Sequence, residues 1–251
     1  MSQQPILLQL GPHPGEAGRI VEPGARASYP PDVHQRLVAD AQTIINRYPQ
    51  SRSALLPLLH LVQAEDGYIT PAGVEFCAEQ LDLSGAEVTA VATFYSMYRR
   101  KPTGDYHVGV CTNTLCAIMG GDAIYEAVTQ HLGISHGDTT DDGKVTLEHI
   151  ECNAACDYAP VMMVNWEFFD NQTPDSAIAL VDALRNGEAV TPTRGASLCT
   201  FRETARILAG FPDTRDGALD GAPGDATLVG LRIAQNATNQ DEPETHAGDV
   251  S

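Results

Sequence analysis

The sequence predicts an α+β protein, an N-terminal helical bundle followed by a smaller unit that mixes strands and helices. Three observations carry this expectation. Residues 31–97 hold a succession of apolar runs with helix start and stop signals. Beyond Lys101-Pro-Thr-Gly104 the pattern changes to short β-rich runs bounded by Gly, Asp and Asn. The chain of 251 residues is 43% hydrophobic, enough to bury a core and to exclude wholesale disorder.

Residues 1–29 are rich in Gly and Pro without periodicity and read as an extended arm. The helical domain is expected over 30–100. Its first helix, 31–47, places Val33, Leu37, Ala41, Ile44 and Ile45 on one face, and Tyr48-Pro49 stops it. A second apolar helix spans 53–64. Thr70-Pro71 is an N-cap with proline at the first helical position, opening a helix to about Leu81. Ser84-Gly-Ala-Glu87 is a capping box for a helix to about Tyr95. Cys77, between Phe76 and Ala78, reads as a core thiol. Phe94, Tyr95, Met97 and Tyr98 form an aromatic and sulfur-rich helix end, which either packs between the two units or meets a partner.

The second domain is expected over 101–190. Residues 106–110 read as a strand, and 120–132 as a helix closed by Gly133. An acidic turn at 138–143 leads to a strand at 144–150. Two short strands, 161–164 and 166–169, are joined tightly at Asn165. Thr173-Pro174 caps a helix that carries Ile178, Leu180, Val181 and Leu184 and ends at Gly187. The order β-α-β-β-β-α suits a compact thioredoxin-like sandwich. Residues 191–251 read as an extended, partly disordered tail, with one short helix signalled by the capping box Thr200-Phe-Arg-Glu203.

The net charge is −18, which argues against direct binding to nucleic acid or an anionic membrane. It is unevenly spread: residues 101–190 carry 14 acidic against 3 basic side chains. The same segment holds four of the six cysteines. The amino-terminal residues lack a basic region before their short apolar run, so no signal peptide is expected. The apolar stretch 54–62 is broken by Pro57 and His60 and falls short of the roughly 20 residues of a membrane span. A cytoplasmic protein is expected, in which clustered cysteines point to metal or redox chemistry rather than disulfides.

Cys111-Thr-Asn-Thr-Leu-Cys116 directly follows the first strand of this domain, and Cys152-Asn-Ala-Ala-Cys156 follows the second. Both pairs therefore fall in loops at the C-terminal ends of strands expected in one sheet. Structural zinc commonly uses C-x2-C pairs, so these wider spacings are permitted but unusual for it. A plant-type ferredoxin would need a third cysteine where Met119 stands, and a Rieske centre would need histidine ligands. The C-x-x-C of a thioredoxin redox pair is absent. Spacing leaves an all-thiolate [2Fe–2S] cluster, zinc, or unrelated thiols. The small and polar residues Thr112, Asn113, Thr114, Asn153, Ala154 and Ala155 leave backbone N–H groups free to point at sulfur. Asn113 and Asn153 read equally well as ordinary turn residues. Gly120-Gly121 lets the chain enter the next helix with no side chain near the cysteines. Neither G-x-G-x-x-G after a strand nor a P-loop occurs, so hydride chemistry is expected on another chain. Cys199, beside Phe201, reads as packing.

The runs Ala92-Thr-Phe-Tyr-Ser-Met-Tyr98, Lys101-Pro-Thr-Gly104, Val110-Cys-Thr-Asn-Thr-Leu-Cys116, Gly120-Gly121, Glu151-Cys-Asn-Ala-Ala-Cys-Asp-Tyr-Ala-Pro160, Met162-Met-Val-Asn165 and Gln172-Thr-Pro174 carry a specific resemblance. From about residue 31 to 187 the chain resembles the E subunit of NADH-quinone oxidoreductase, the thioredoxin-like [2Fe–2S] component of respiratory complex I. The resemblance implies that Cys111, Cys116, Cys152 and Cys156 ligate one [2Fe–2S] cluster. It implies docking on the NADH- and FMN-binding F subunit, with the large iron–sulfur G subunit as a further neighbour. The place it implies is the peripheral arm, on the cytoplasmic side of the cell membrane. Such a chain is part of an oxidoreductase and is not catalytic alone. The same motifs also occur in the diaphorase-type component of NAD-linked hydrogenases and formate dehydrogenases; a structural zinc module is the reading from a different class. The acidic setting is expected to oppose the added negative charge of a reduced cluster.

Overall fold

The computed structural model describes residues 22–218, together with 228–229 and 232–233. The arm expected at 1–29 lies outside the described residues up to position 21, as does most of the tail beyond 218.

Four helices build the first unit. Helix α1, Pro31–Ile45, opens on proline, whose missing N–H is no loss in a first turn, and buries Leu37, Ala41 and Ile44. A 3-10 turn, Ser51–Ala54, delays the second helix, so α2 runs over Leu55–Asp66 rather than 53–64. Because α2 is apolar on most sides, it becomes the central element, burying Leu55, Leu58, Leu59, Leu61 and Val62. Gly67, at φ 81°, ends it in the left-handed region. Helix α3, Pro71–Leu81, has the expected cap: Thr70 Oγ1 accepts from the Gly73 N–H at 3.1 Å. Cys77 lies wholly inside this core, and burial pushes its thiol up. Helix α4, Gly85–Phe94, carries the full Ser84–Glu87 capping box. The aromatic run after it divides. Tyr98 turns into the helical core and donates to the Leu56 carbonyl at 2.9 Å, whereas Phe94 is 79% exposed.

In the second unit, β1 (Tyr106–Cys111) is followed by α5 (Thr114–Ile118), α6 (Gly121–Leu132) and β2 (Val145–Ile150). Strands β3 (Met162–Val164) and β4 (Glu167–Phe169) and helix α7 (Pro174–Asn186) complete it. Among the described residues the four strands form one sheet in the order β2-β1-β3-β4. β1 and β2 are parallel; β1–β3 and β3–β4 are antiparallel. Period-2 alternation decides the faces. Val108, Val110, Val145 and Leu147 point to a core shared with Ile124 and Val128 of α6 and Val181 and Leu184 of α7. His107 and Glu148 point the other way, toward the helical unit, where Arg99 meets Glu148 at 2.6 Å. The tight β3–β4 joint is built by Asn165 and Trp166, both at positive φ (48° and 70°), as a two-residue hairpin requires.

The short helix expected from Thr200-Phe-Arg-Glu203 is α8, Phe201–Leu208, and it packs on α2. Buried Phe201 lies 5.4 Å from the Trp166 ring, while Arg206 pairs with Asp40 at 2.8 Å. Residues after 190 thus touch both units. No helix among the described residues is long and apolar enough to cross a membrane.

Candidate metal centre

Parallel pairing brings the C-terminal ends of β1 and β2 side by side, with Cys111 opposite Ile150. Cys111 and Cys152 therefore leave the sheet as neighbours, as the two strand–cysteine sequences require. One detail differs from the expectation of two loops. Cys111 is the last residue of β1, and Cys116 lies in helix α5, which has too few residues to leave a periodic signal. Asn113 stands at the N-cap of α5 but does not cap it. Its Nδ2 instead donates to the Ile150 carbonyl at 3.2 Å, tying the two cysteine-bearing strand ends together. Gly121 is required by close approach: an added Cβ would collide with the Cys111 carbonyl oxygen and stand 2.9 Å from that of Cys116.

The sulfurs stand as two adjoining pairs. Cys152 and Cys156 have their Sγ atoms 3.8 Å apart, and Cys116 interacts with Cys111 and, across the pairs, with Cys156. Among the described residues no three His, Cys, Asp or Glu side chains converge on one point as ligands of a single ion would. Backbone donors do reach sulfur. Ala154, held at φ 55°, directs its N–H to Cys152 Sγ at 3.4 Å, and the Val161 N–H serves Cys116. Asn153 Nδ2 is buried without a hydrogen-bond partner, a donor left for an occupant.

Burial pushes the Cys116 thiol up to about 11, and the adjoining Cys111 and Cys156 add to the shift. Cys156 is raised chiefly by its contact with Cys152. Cys116 and Cys156 therefore hold their protons at neutral pH; a bound cationic centre would displace them. Two dithiol pairs with amide donors at their sulfurs fit a two-iron, all-cysteine centre.

On the face of β1 and β2 toward the helical unit lies a charged group that cysteine spacing does not reveal. Glu148 receives the His107 Nε2 hydrogen bond at 2.8 Å and the Arg99 guanidinium, with His136 at 3.8 Å. Burial alone would raise this carboxyl, yet His107 and Arg99 hold it down at about 2. Burial lowers His107, so Arg99 supplies the compensating charge. A signal that could have found it is a histidine and a carboxylate, His107 and Glu148, inside two β-rich runs. Much of the acidity is also internally matched: Asp105, Asp142, Glu148, Glu167, Asp170 and Asp182 face bases. Cys199 packs, with Sγ 3.2 Å from Thr204 Oγ1, and is remote from the four in sequence.

Residues 41–185 match the protein family described as thioredoxin-like [2Fe-2S] ferredoxin. The E subunit of NADH-quinone oxidoreductase from Mycobacterium tuberculosis is 64% identical over 240 residues, 96% of this chain and 95% of that protein. The protein of the same name from Rickettsia bellii is 40% identical over 149 residues, 58% of this chain and 89% of its own length. A solved NAD+-reducing [NiFe]-hydrogenase aligns with TM-score 0.48 and 19% identity, covering 53% of this chain and 23% of that one.

Proposed function

Because this chain belongs to the thioredoxin-like [2Fe-2S] ferredoxin family, among the E subunits of NADH-quinone oxidoreductase, we propose that it exchanges single electrons with the FMN of an NADH-binding partner. The observation that carries the reading is the meeting of two thiol pairs at the adjoining ends of parallel β1 and β2. Cys111, Cys116, Cys152 and Cys156 would hold one [2Fe–2S] cluster, which when bound supplies one-electron storage. The chain's own residues do the rest. Cys111 and Cys116 are taken out of water by α5 and by Val161; Ala154 and Val161 direct N–H groups to sulfur, favouring the more negative sulfurs of a reduced centre.

The partners that follow are the flavin-bearing F subunit and the large iron–sulfur G subunit, with the chain in the peripheral arm on the cytoplasmic side of the membrane. The similarity of 64% over almost the whole chain supports this assembly over the diaphorase of a soluble hydrogenase. The experiment is direct. The purified full-length chain should be red-brown, and dithionite should give an electron paramagnetic resonance signal. Serine at any of the four cysteines should abolish or alter that signal. A colourless protein holding zinc would overturn the reading, as would NADH oxidation by the chain alone.

A further inference from the structure

The family match ends at residue 185, yet the described chain continues to 218 and does not trail away. Thr193 donates its N–H to the Phe168 carbonyl at 2.9 Å, and Arg194 forms an isolated bridge with Phe168 on the open edge of β4. Arg194 then reaches the loop of the second cysteine pair. Its guanidinium lies 5.0 Å from the Tyr158 ring centroid and 4.7 Å from that of Phe168, while Asp170 pairs with it at 2.7 Å. Tyr158 closes the 3-10 turn that begins at Cys156.

Farther on, the Asn165 amide donates to the Cys199 carbonyl at 2.8 Å, and Arg215 pairs with Glu167 at 3.0 Å. The chain then crosses to the helical unit. Arg202 donates to the Glu65 and Asp66 carbonyls, and Arg47 donates to the Gly210 carbonyl at 2.6 Å. One segment therefore clasps the cysteine loop at its start and the helical unit at its end.

We propose that residues 190–218 form a strap in which Arg194 is a positioning residue for the Cys156 loop, acting through the Tyr158 ring. The inference rests on the cluster reading above. Cys152 is exposed in irregular chain and Cys156 at the start of the 3-10 turn, so the rings and charges packed behind Tyr158 set how firmly the second pair is held. A guanidinium between two aromatic faces, with its charge met by a mostly buried carboxylate, is suited to that task.

The test uses the full-length chain carrying its cluster. In Arg194→Ala, loss of the red-brown absorbance to an iron chelator should speed up about tenfold, the scale of one partly desolvated cation–π contact. The paramagnetic signal of the reduced protein should also shift. Arg194→Lys, which keeps the charge beside Asp170 but loses the flat stacking surface, should recover only part of the difference. Arg206→Ala breaks the far anchor and should lower the melting temperature while leaving the chelator rate and the signal unchanged. A coloured Arg194→Ala protein with wild-type rate and signal overturns the inference. So does an equal acceleration by Arg206→Ala, since it would make the strap a general brace. A wild-type chain that never takes up colour instead sinks the cluster reading on which this one stands.

Discussion

Cys111 and Cys116 are 1% and 2% exposed, one at a strand end and one in a short helix, whereas Cys152 stands exposed in irregular chain and Cys156 exposed at the start of a 3-10 turn. The first pair is placed by regular elements, a strand inside the sheet and a short helix. The second is held by the left-handed Ala154 between its two cysteines, whose N–H reaches Cys152 Sγ, and by Arg194 packed against Tyr158 two residues after Cys156. The two halves of the proposed cluster site are thus built in different ways. The buried half is sensitive to volume, and the exposed half to the loss of distant partners.

The largest expected effect is on the buried half. Gly121→Ala drives a methyl group into the backbone carbonyls of Cys111 and Cys116, neither of which can swing aside. It should cost about 3 kcal/mol, the upper range for an overpacked interior, and cluster content should fall to background. Normal iron content with an unchanged melting curve would break the distinction between the two halves.

Glu148→Gln tests the charged group on the face of β1 and β2 turned toward the helical unit. It leaves Arg99 and His107 without their shared carboxylate, and a loss of about 3 kcal/mol is expected in chemical denaturation. The pH dependence has a definite sign. Glu148 is held at about 2 against an ordinary 4.5, so its stabilisation is complete above the ordinary value and is lost as pH falls through the lower one. The wild-type protein should lose stability across that acid window, and the variant should show a flatter acid limb there. Identical acid limbs would mean that the Glu148 group contributes nothing to stability.

Thiol accessibility sharpens the contrast. In the cluster-free protein, alkylation followed by peptide mass mapping should modify Cys152 and Cys156 about tenfold faster than Cys111 and Cys116. Equal rates would mean that α5 does not shield the first pair. The smallest effect is expected at the tie between the halves. Asn113→Ala removes one side-chain hydrogen bond to Ile150 and should cost about 1 kcal/mol, read as a modest drop in melting temperature with the cluster retained.

Most of the framework was legible in the residues. The Ser84 and Thr200 capping boxes, the Thr70 and Thr173 caps with their following prolines, and the glycine stops at 133 and 187 announce helix ends through local hydrogen bonding. The two cysteine pairs were legible as a unit because each directly follows a β-rich run. Helix α5 was not, since five residues give no period. Asn113 looked like either a turn residue or a donor to sulfur, and its actual partner is a carbonyl 37 positions away.

Local sequence therefore determined where most helices begin and stop, where the β-rich runs lie, and that two cysteine pairs each follow one of those runs. Those outcomes depend on contacts within a few residues, and a sequence displays such contacts directly. Only the tertiary structure decided that one thiol pair is buried and the other exposed. It alone placed Arg99 and His107 on Glu148, and laid Arg194 against Tyr158. These are pairings across 36 to 49 positions of chain, set by the crossing of β1 with β2 and by the path of the strap, and no local pattern encodes them.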